Sequence, residues 1–162
     1  MASAPRVVRL VSGGQTGVDR AALDAARTLG LPIGGWCPAG GWAEDLTEPP
    51  GVRERFPELR ETPSADPAQR TEWNVRDSDA TLVLTRGGVR SPGTTATVEI
   101  AARLDKPHLV VDVGEAALVE GWLRQLGRGL VLNVAGPRES QAPGIGRDVR
   151  AMLLFLGDVL SR

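Results

Sequence analysis

Arg6-Val7-Val8-Arg9-Leu10-Val11-Ser12-Gly13-Gly14-Gln15-Thr16-Gly17 begins as a β-branched, apolar run and then breaks into glycine. Val18, Ala22, Ala25 and Leu29 follow at helical spacing, and Gly30 is a natural helix stop. A buried strand, a glycine loop and an amphipathic helix in that order are the opening unit of a parallel α/β sheet. Glycine permits positive φ and close approach of the backbone, and the free N–H groups at a helix start point at an anion. Residues 12–17 are therefore expected to hold a phosphate-like group; the alternative is a tight strand–helix turn with no ligand. A dinucleotide fingerprint would need glycine at Ser12 and an acid closing the second strand, which instead ends in Gly34-Gly35-Trp36, so NAD is disfavoured. A Walker A loop needs Gly-Lys-Ser/Thr, and the one lysine, Lys106, lies elsewhere.

Outward from that unit the same alternation continues. Leu31 to Trp36 is a short second run, and residues 37–69, rich in proline and acids, read as a long loop of the kind that is usually functional. Arg70 to Asp77 is a short helix and Ala80 to Thr85 a core strand. Arg86-Gly87-Gly88-Val89-Arg90-Ser91-Pro92-Gly93 is a second glycine loop, feeding a helix with Thr97, Ile100, Ala101 and Leu104 on one face. His108 to Val113 is a strand, Glu115 to Leu126 a helix and Leu130 to Val134 a strand. A last helix carries Ile145, Val149, Met152, Leu156 and Val159 on one stripe. Nearly all-apolar strands alternating with helices predict one α/β domain over 1–162. Its form is a Rossmann-like three-layer sandwich with a mainly parallel sheet of about five strands. The loops at 12–17, 86–95 and 134–144 then share the carboxyl edge of the sheet, where such folds bind ligands.

The composition narrows the classes. The 162 residues carry a net charge of −1, with 41% apolar and 24% charged residues, so the basic footprint of a general nucleic-acid binder is missing. No apolar run approaches the roughly 18 residues of a membrane span, and no signal-peptide pattern leads the chain, so a cytoplasmic protein is expected. Cys37 and His108 are the sole cysteine and histidine, which leaves no expected metal site. His108 opens a buried strand and reads as structural, Cys37 as a small apolar residue. Eighteen of the nineteen basic residues are arginine, suited to forked contacts with oxyanions.

In the second loop, Gly93, Thr94 and Thr95 make another anion cradle, and Glu99 one turn on can meet a sugar or water, or stand as a solvated carboxylate. In the third, Asn133-Val134-Ala135-Gly136-Pro137-Arg138-Glu139-Ser140 follows a core strand, and Arg138 is either an oxyanion clamp or a surface arginine. Trp36, Trp42 and Trp73 sit where an indole can stack on a heterocycle or pack in the core.

Ser12-Gly-Gly-Gln-Thr-Gly-Val-Asp-Arg-Ala-Ala-Leu-Asp, Gly35-Trp-Cys-Pro-Ala-Gly-Gly-Trp-Ala-Glu-Asp, Arg70-Thr-Glu-Trp-Asn-Val-Arg-Asp-Ser-Asp-Ala and Asn133-Val-Ala-Gly-Pro-Arg-Glu-Ser together resemble the molybdenum carrier family. That family is also called the circularly permuted YpsA-like branch of the SLOG superfamily. The resemblance spans nearly the whole chain. It implies a Rossmann-like binder of a phosphate-bearing, nucleotide-like ligand, with the molybdenum cofactor or molybdate as cargo; a nucleotide-sensing module is the other binding reading. LOG-type phosphoribohydrolases in the same superfamily use an arginine and the glutamate of a Pro-Gly-Gly-x-Gly-Thr-x-x-Glu motif. Arg70 and Glu99 look like those two and would be catalytic in a hydrolase. However, Glu99 falls two residues late, about 200° round the helix, an insertion separates Arg86-Gly87-Gly88 from Gly93-Thr94, and Thr85-Arg86 replaces the proline. The resemblance thus implies a site in which Gly13, Gly14, Thr16 and Gly17 cradle one anionic group and Gly93, Thr94 and Thr95 a second. Arg138 adds charge and Arg70 or Asn74 orients the ligand. Ser12, Gln15, Asp19, Trp73, Asn133, Gly136 and Ser140 complete the expected ligand-binding set. It implies a homo-oligomer with no membrane partner.

Overall fold

A computed structural model describes residues 3–88 and 91–162; Val89 and Arg90 of the second glycine loop lie outside the described residues. In chain order the elements are β1 (Val7–Val11), α1 (Val18–Thr28), β2 (Ile33–Gly34), β3 (Trp36–Cys37), β4 (Arg60–Glu61), α2 (Pro67–Arg76) and β5 (Ala80–Thr85). They continue with α3 (Pro92–Arg103), β6 (His108–Asp112), α4 (Ala116–Leu126), β7 (Leu130–Ala135), α5 (Ile145–Phe155) and α6 (Gly157–Ser161). Five strands form one all-parallel sheet in the order β2-β1-β7-β5-β6. β5, buried at all six residues, is an apolar strand covered on both faces, as parallel packing requires.

The order carries the chief surprise of the chain path. Moving the last strand–helix unit, β7–α5, to the front would renumber the sheet 3-2-1-4-5, the order of an ordinary doubly wound sheet. The sheet is therefore circularly permuted, and its switch point lies between β7 and β5. The steps β1→β2 and β6→β7 run one way across the sheet and β5→β6 the other. Right-handed crossovers then place α1 and α4 on one face and α3 on the opposite one. The packing agrees: α1 lies on α5 and α4 on α6, while α2 lies on α3. Leu10, Leu82, Leu84, Leu132 and Val134 of the sheet meet Leu23, Val149 and Leu153 in the core, all fully buried.

The segment expected as a long loop has structure of its own. β3 and β4 pair in parallel (Trp36 with Arg60, Cys37 with Glu61), and a 3-10 turn spans Gly51–Glu54. Val52, Phe56 and Leu59 are fully buried, so the excursion closes on an apolar plug rather than staying solvated. α2 begins three residues earlier than expected because Asp66 caps it, accepting from the Ala68 N–H at 2.9 Å, with Pro67 at the first helical position. The last helix breaks at Leu156 into α5 and α6. There Gly157 passes so close to Leu29 that a Cβ would stand 2.7 Å from Leu29 Cδ2. No helix of the described residues is long and apolar enough to cross a membrane.

Candidate functional site

A cleft of ≈480 Å³ opens at the carboxyl ends of β1, β7 and β5, at the switch point. One wall is the start of α2, with Pro67, Ala68, Arg70 and Thr71; the other is the start of α3, with Pro92, Gly93, Thr94, Ala96, Thr97 and Ile100. Gln15, Asp19, Ala135 and Gly136 line its base, and Arg138 and Gln141 also line it. The two helix starts are built alike. Ser91, like Asp66, is an N-cap followed by proline, and its hydroxyl accepts from the Thr94 N–H at 3.2 Å.

The base of the cleft holds a buried ion pair. Asp19 is 4% exposed, and Arg70 Nη1 lies 3.3 Å from its carboxylate. Gly13 makes this possible: a Cβ there would sit 2.2 Å from the same Nη1. Burial pushes the Asp19 carboxyl up, against the opposite pull of Arg70 and the Gln15 amide. Arg70 Nε is buried without a partner among the described residues. Beneath lies a void of ≈10 Å³, about one water in size, edged by Asn74, Thr97 and Asn133.

Part of the glycine loop is taken up by the protein itself, chiefly at Thr16. Thr16 donates its hydroxyl to Glu44 and accepts from the Glu139 N–H at 3.1 Å. Glu44 also takes the Ser140 hydroxyl at 2.6 Å, and these hydroxyls hold its carboxyl below the usual range. Gln15 Oε1 accepts from the Thr16 and Glu44 amides at 3.0 and 2.9 Å. Gly14, at φ +80°, lies against Val52 and Leu59, and a Cβ on Gly17 would meet the Pro137 carbonyl at 2.4 Å. Glu139 likewise closes the start of α5, accepting from the Gly146 amide at 3.1 Å. A wider, shallower groove of ≈570 Å³ runs past Thr16, Glu44 and Ser140. The Thr16 and Ser140 hydroxyls there already serve Glu44, so the cleft between α2 and α3 is the candidate site.

The family profile of circularly permutated YpsA SLOG proteins matches residues 10–156. The chain belongs to this family. A solved structure named "putative molybdenum carrier protein", from Syntrophus aciditrophicus SB, is 38% identical to it with a TM-score of 0.84, covering 95% of this chain and 98% of that one. Among curated proteins none matches at the same stringency. The permuted strand order of the sheet agrees with the family's description as circularly permutated.

In this YpsA-like chain the sequence-predicted residues separate into four groups. Gln15, Asp19, Arg70, Gly93, Thr94, Gly136 and Arg138 converge on the cleft. Ser12, Gly13, Asn74 and Asn133 lie under it. Ser12 donates to the Val134 carbonyl at 2.6 Å, and Asn74 bonds both the N–H and the C=O of Trp36, at 2.8 and 2.9 Å, so neither faces the cleft as a ligand group. Thr16, Gly17 and Ser140 fall on the groove side, with Glu44.

Gly14, packed against Val52 and Leu59, and Trp73, Thr95 and Glu99 stand outside the cleft. Trp73 and Trp36 pack edge to face with ring centroids 4.8 Å apart, and the Arg76 guanidinium lies over the Trp73 ring, 4.5 Å from its centroid. Thr95 and Glu99 are exposed, and the cleft face of α3 is instead 93, 96, 97 and 100. The expectation that Glu99 reaches a bound sugar is therefore not met; the buried hydroxyl of Thr97 occupies that face. Trp42, 37% exposed, carries the Arg138 guanidinium 5.4 Å from its ring centroid.

The sequence reading missed the apolar cleft residues Pro67, Ala68, Ala96 and Ile100, and missed Glu44. An Asp-Pro helix start at 66–67 was a readable signal for the first two. Nothing local marks Glu44, whose partners are 28 and 96 residues away.

Proposed function

We propose that the chain binds a phosphate-bearing, nucleotide-like ligand in the cleft between α2 and α3. Cargo related to molybdenum, as molybdate or the molybdenum cofactor, follows the name given to the Syntrophus relative. The observation that carries the reading is the convergence of two arginines, Arg70 and Arg138, with the uncharged start of α3 on one ≈480 Å³ cleft at the switch point. Pro67 and Ala68 facing Ala96 and Ile100 supply apolar walls for a flat ring, and Asp19 supplies an acceptor for hydroxyl or amino groups. Binding rather than cleavage is favoured because Glu99 is exposed and is not among the residues that line the cleft.

Calorimetric titration with AMP, GMP, phosphate and molybdate tests the proposal. Arg138→Ala is expected to weaken the best ligand at least tenfold, consistent with the about 1.5–3 kcal/mol of a charge-assisted hydrogen bond. Ala96→Trp is expected to abolish binding of the base-bearing ligands. Absence of binding across the panel, or indifference to both substitutions, overturns it.

A further inference from the structure

Against the edge strand β2 and the C-terminal half of α2 lies a second pocket, of ≈230 Å³, which has no part in the cleft. Its polar lining comes from Arg9, Trp36, Glu58, Arg60, Asn74 and Asp77 around the bare backbone of Gly34 and Gly35. Arg9 is the exposed residue of β1, on a strand whose Val7, Leu10 and Val11 are all buried. Its stem runs over β2, where a Cβ on Gly34 would stand 3.5 Å from Arg9 Cδ and 3.7 Å from Nη1. The Arg60 guanidinium lies over the indole of Trp36, 5.1 Å from the ring centroid.

The charges of this pocket do not cancel. Both Glu58 oxygens are taken by Arg27 Nη2, at 3.1 and 3.0 Å. Asp77 takes the fork of Arg76 at 2.8 and 3.0 Å and the Trp36 indole N–H at 2.8 Å. Arg60 helps to hold the Asp77 carboxyl down, but from beyond ion-pair distance. Arg9 and Arg60 have no carboxylate within 4 Å among the described residues. Two acids already matched by outside arginines therefore leave two guanidinium groups unmatched in one concavity. Guanidinium is weakly hydrated and binds oxyanions in forked pairs, so an anion between two of them exchanges water for charge-assisted bonds. A pocket this size is below the 300–1,000 Å³ of drug-sized ligands and suits a single small group.

We propose that Arg9 and Arg60 form a second anion site, for a small multiply charged oxyanion of the phosphate, sulfate or molybdate class, seated over Gly34–Gly35. It stands independently of the cleft reading. The test is calorimetry on the full chain with inorganic phosphate and with molybdate, in an Arg138→Ala background that removes the cleft's clamp. Trp36 fluorescence is the second readout, because an anion that engages Arg60 alters its contact with the indole.

Saturable binding of one equivalent is expected, at least tenfold weaker in Arg9→Ala and in Arg60→Ala, and lost in the double variant. Lysine at both positions should recover part of the affinity. Trp36→Phe should silence the fluorescence change while calorimetric binding persists. Arg9 is exposed, so Arg9→Ala alone decides the matter if an Arg60 variant folds poorly. Equal binding by the double variant and its parent, or no saturable binding of either anion, overturns the proposal. Loss of nucleotide binding by Arg138→Ala in the otherwise unchanged chain bears on the cleft alone.

Discussion

Replacing Arg70 by Met should destabilise the protein in a strongly pH-dependent way. The substitution keeps an apolar stem but removes the cation, which lies over Gly13 and 3.3 Å from Asp19, whose side chain is 6% exposed. Breaking a buried pair by deleting one partner costs about 3–5 kcal/mol, and the 15% exposure of the Arg70 side chain argues for the lower end, about 3. For a chain of this length that is about 6–12 °C in Tm. Asp19 supplies the pH dependence. Its carboxyl is already raised above the ordinary 3.8 by burial, and loss of Arg70 raises it further. An acid raised in the folded state binds more protons folded than unfolded, so stability falls as pH rises through the folded value. The deficit of Arg70→Met relative to its parent should therefore be largest at pH 8 and shrink toward pH 4, where the folded variant protonates Asp19. Asp19→Asn in the Arg70→Met background should recover much of the loss at pH 8. Urea unfolding of the four proteins in the cycle, at pH 4, 6 and 8, measures this directly. A deficit below about 1 kcal/mol, the scale of a surface pair, or one that does not change with pH, refutes the argument.

The Glu44 latch should fail on acidification. Hydroxyl donors hold its carboxyl below the ordinary 4.5, so its contribution is present above that value and is lost as pH falls through the folded one. Glu44→Gln should cost about 1 kcal/mol at pH 7 and progressively less below pH 4, read as Tm against pH; an unchanged gap at pH 3 contradicts the assignment. Gly17→Ala meets both a φ of +78° and a Cβ 2.4 Å from the Pro137 carbonyl, and should lower stability by about 2–4 kcal/mol in urea unfolding, whereas Gly87→Ala, at φ +62° in open space, should cost no more than about 1. Cys37, fully buried and with its thiol pushed up to about 11, should react with a disulfide reagent at pH 8 only as fast as the protein opens; reaction at the rate of a free thiol would place it elsewhere.

Strand–helix alternation was enough to read the five-stranded parallel sheet and the edge on which its loops gather, because apolar period and glycine stops are local signals. The permutation was not readable that way, since placing β7 between β1 and β5 is decided by which apolar faces meet. The same division runs through the site. Helix period put Glu99 about 200° round from the glutamate of the hydrolase motif but left it one turn from Gly93–Thr94; that it stands exposed outside the cleft follows from how α3 packs. The glycine loop shows the same limit: sequence displays the Thr16 hydroxyl, but not that Glu44, 28 residues away, takes it. Among the described residues three carboxylates close on the loops at 12–17 and 134–144, Asp19 beside Gly13, Glu44 on Thr16, and Glu139 at the start of α5. α2 is capped by a fourth, Asp66. α3 is different: its cap is the neutral Ser91, and no acid stands in its first turn. A helix whose own cap and first turn carry no carboxylate retains its attraction for an outside anion. The glycine pattern at 12–17 that reads most like an anion site thus shapes the floor, by admitting Arg70 over Gly13. In the proposed binding mode the anion's seat is the less conspicuous start of α3.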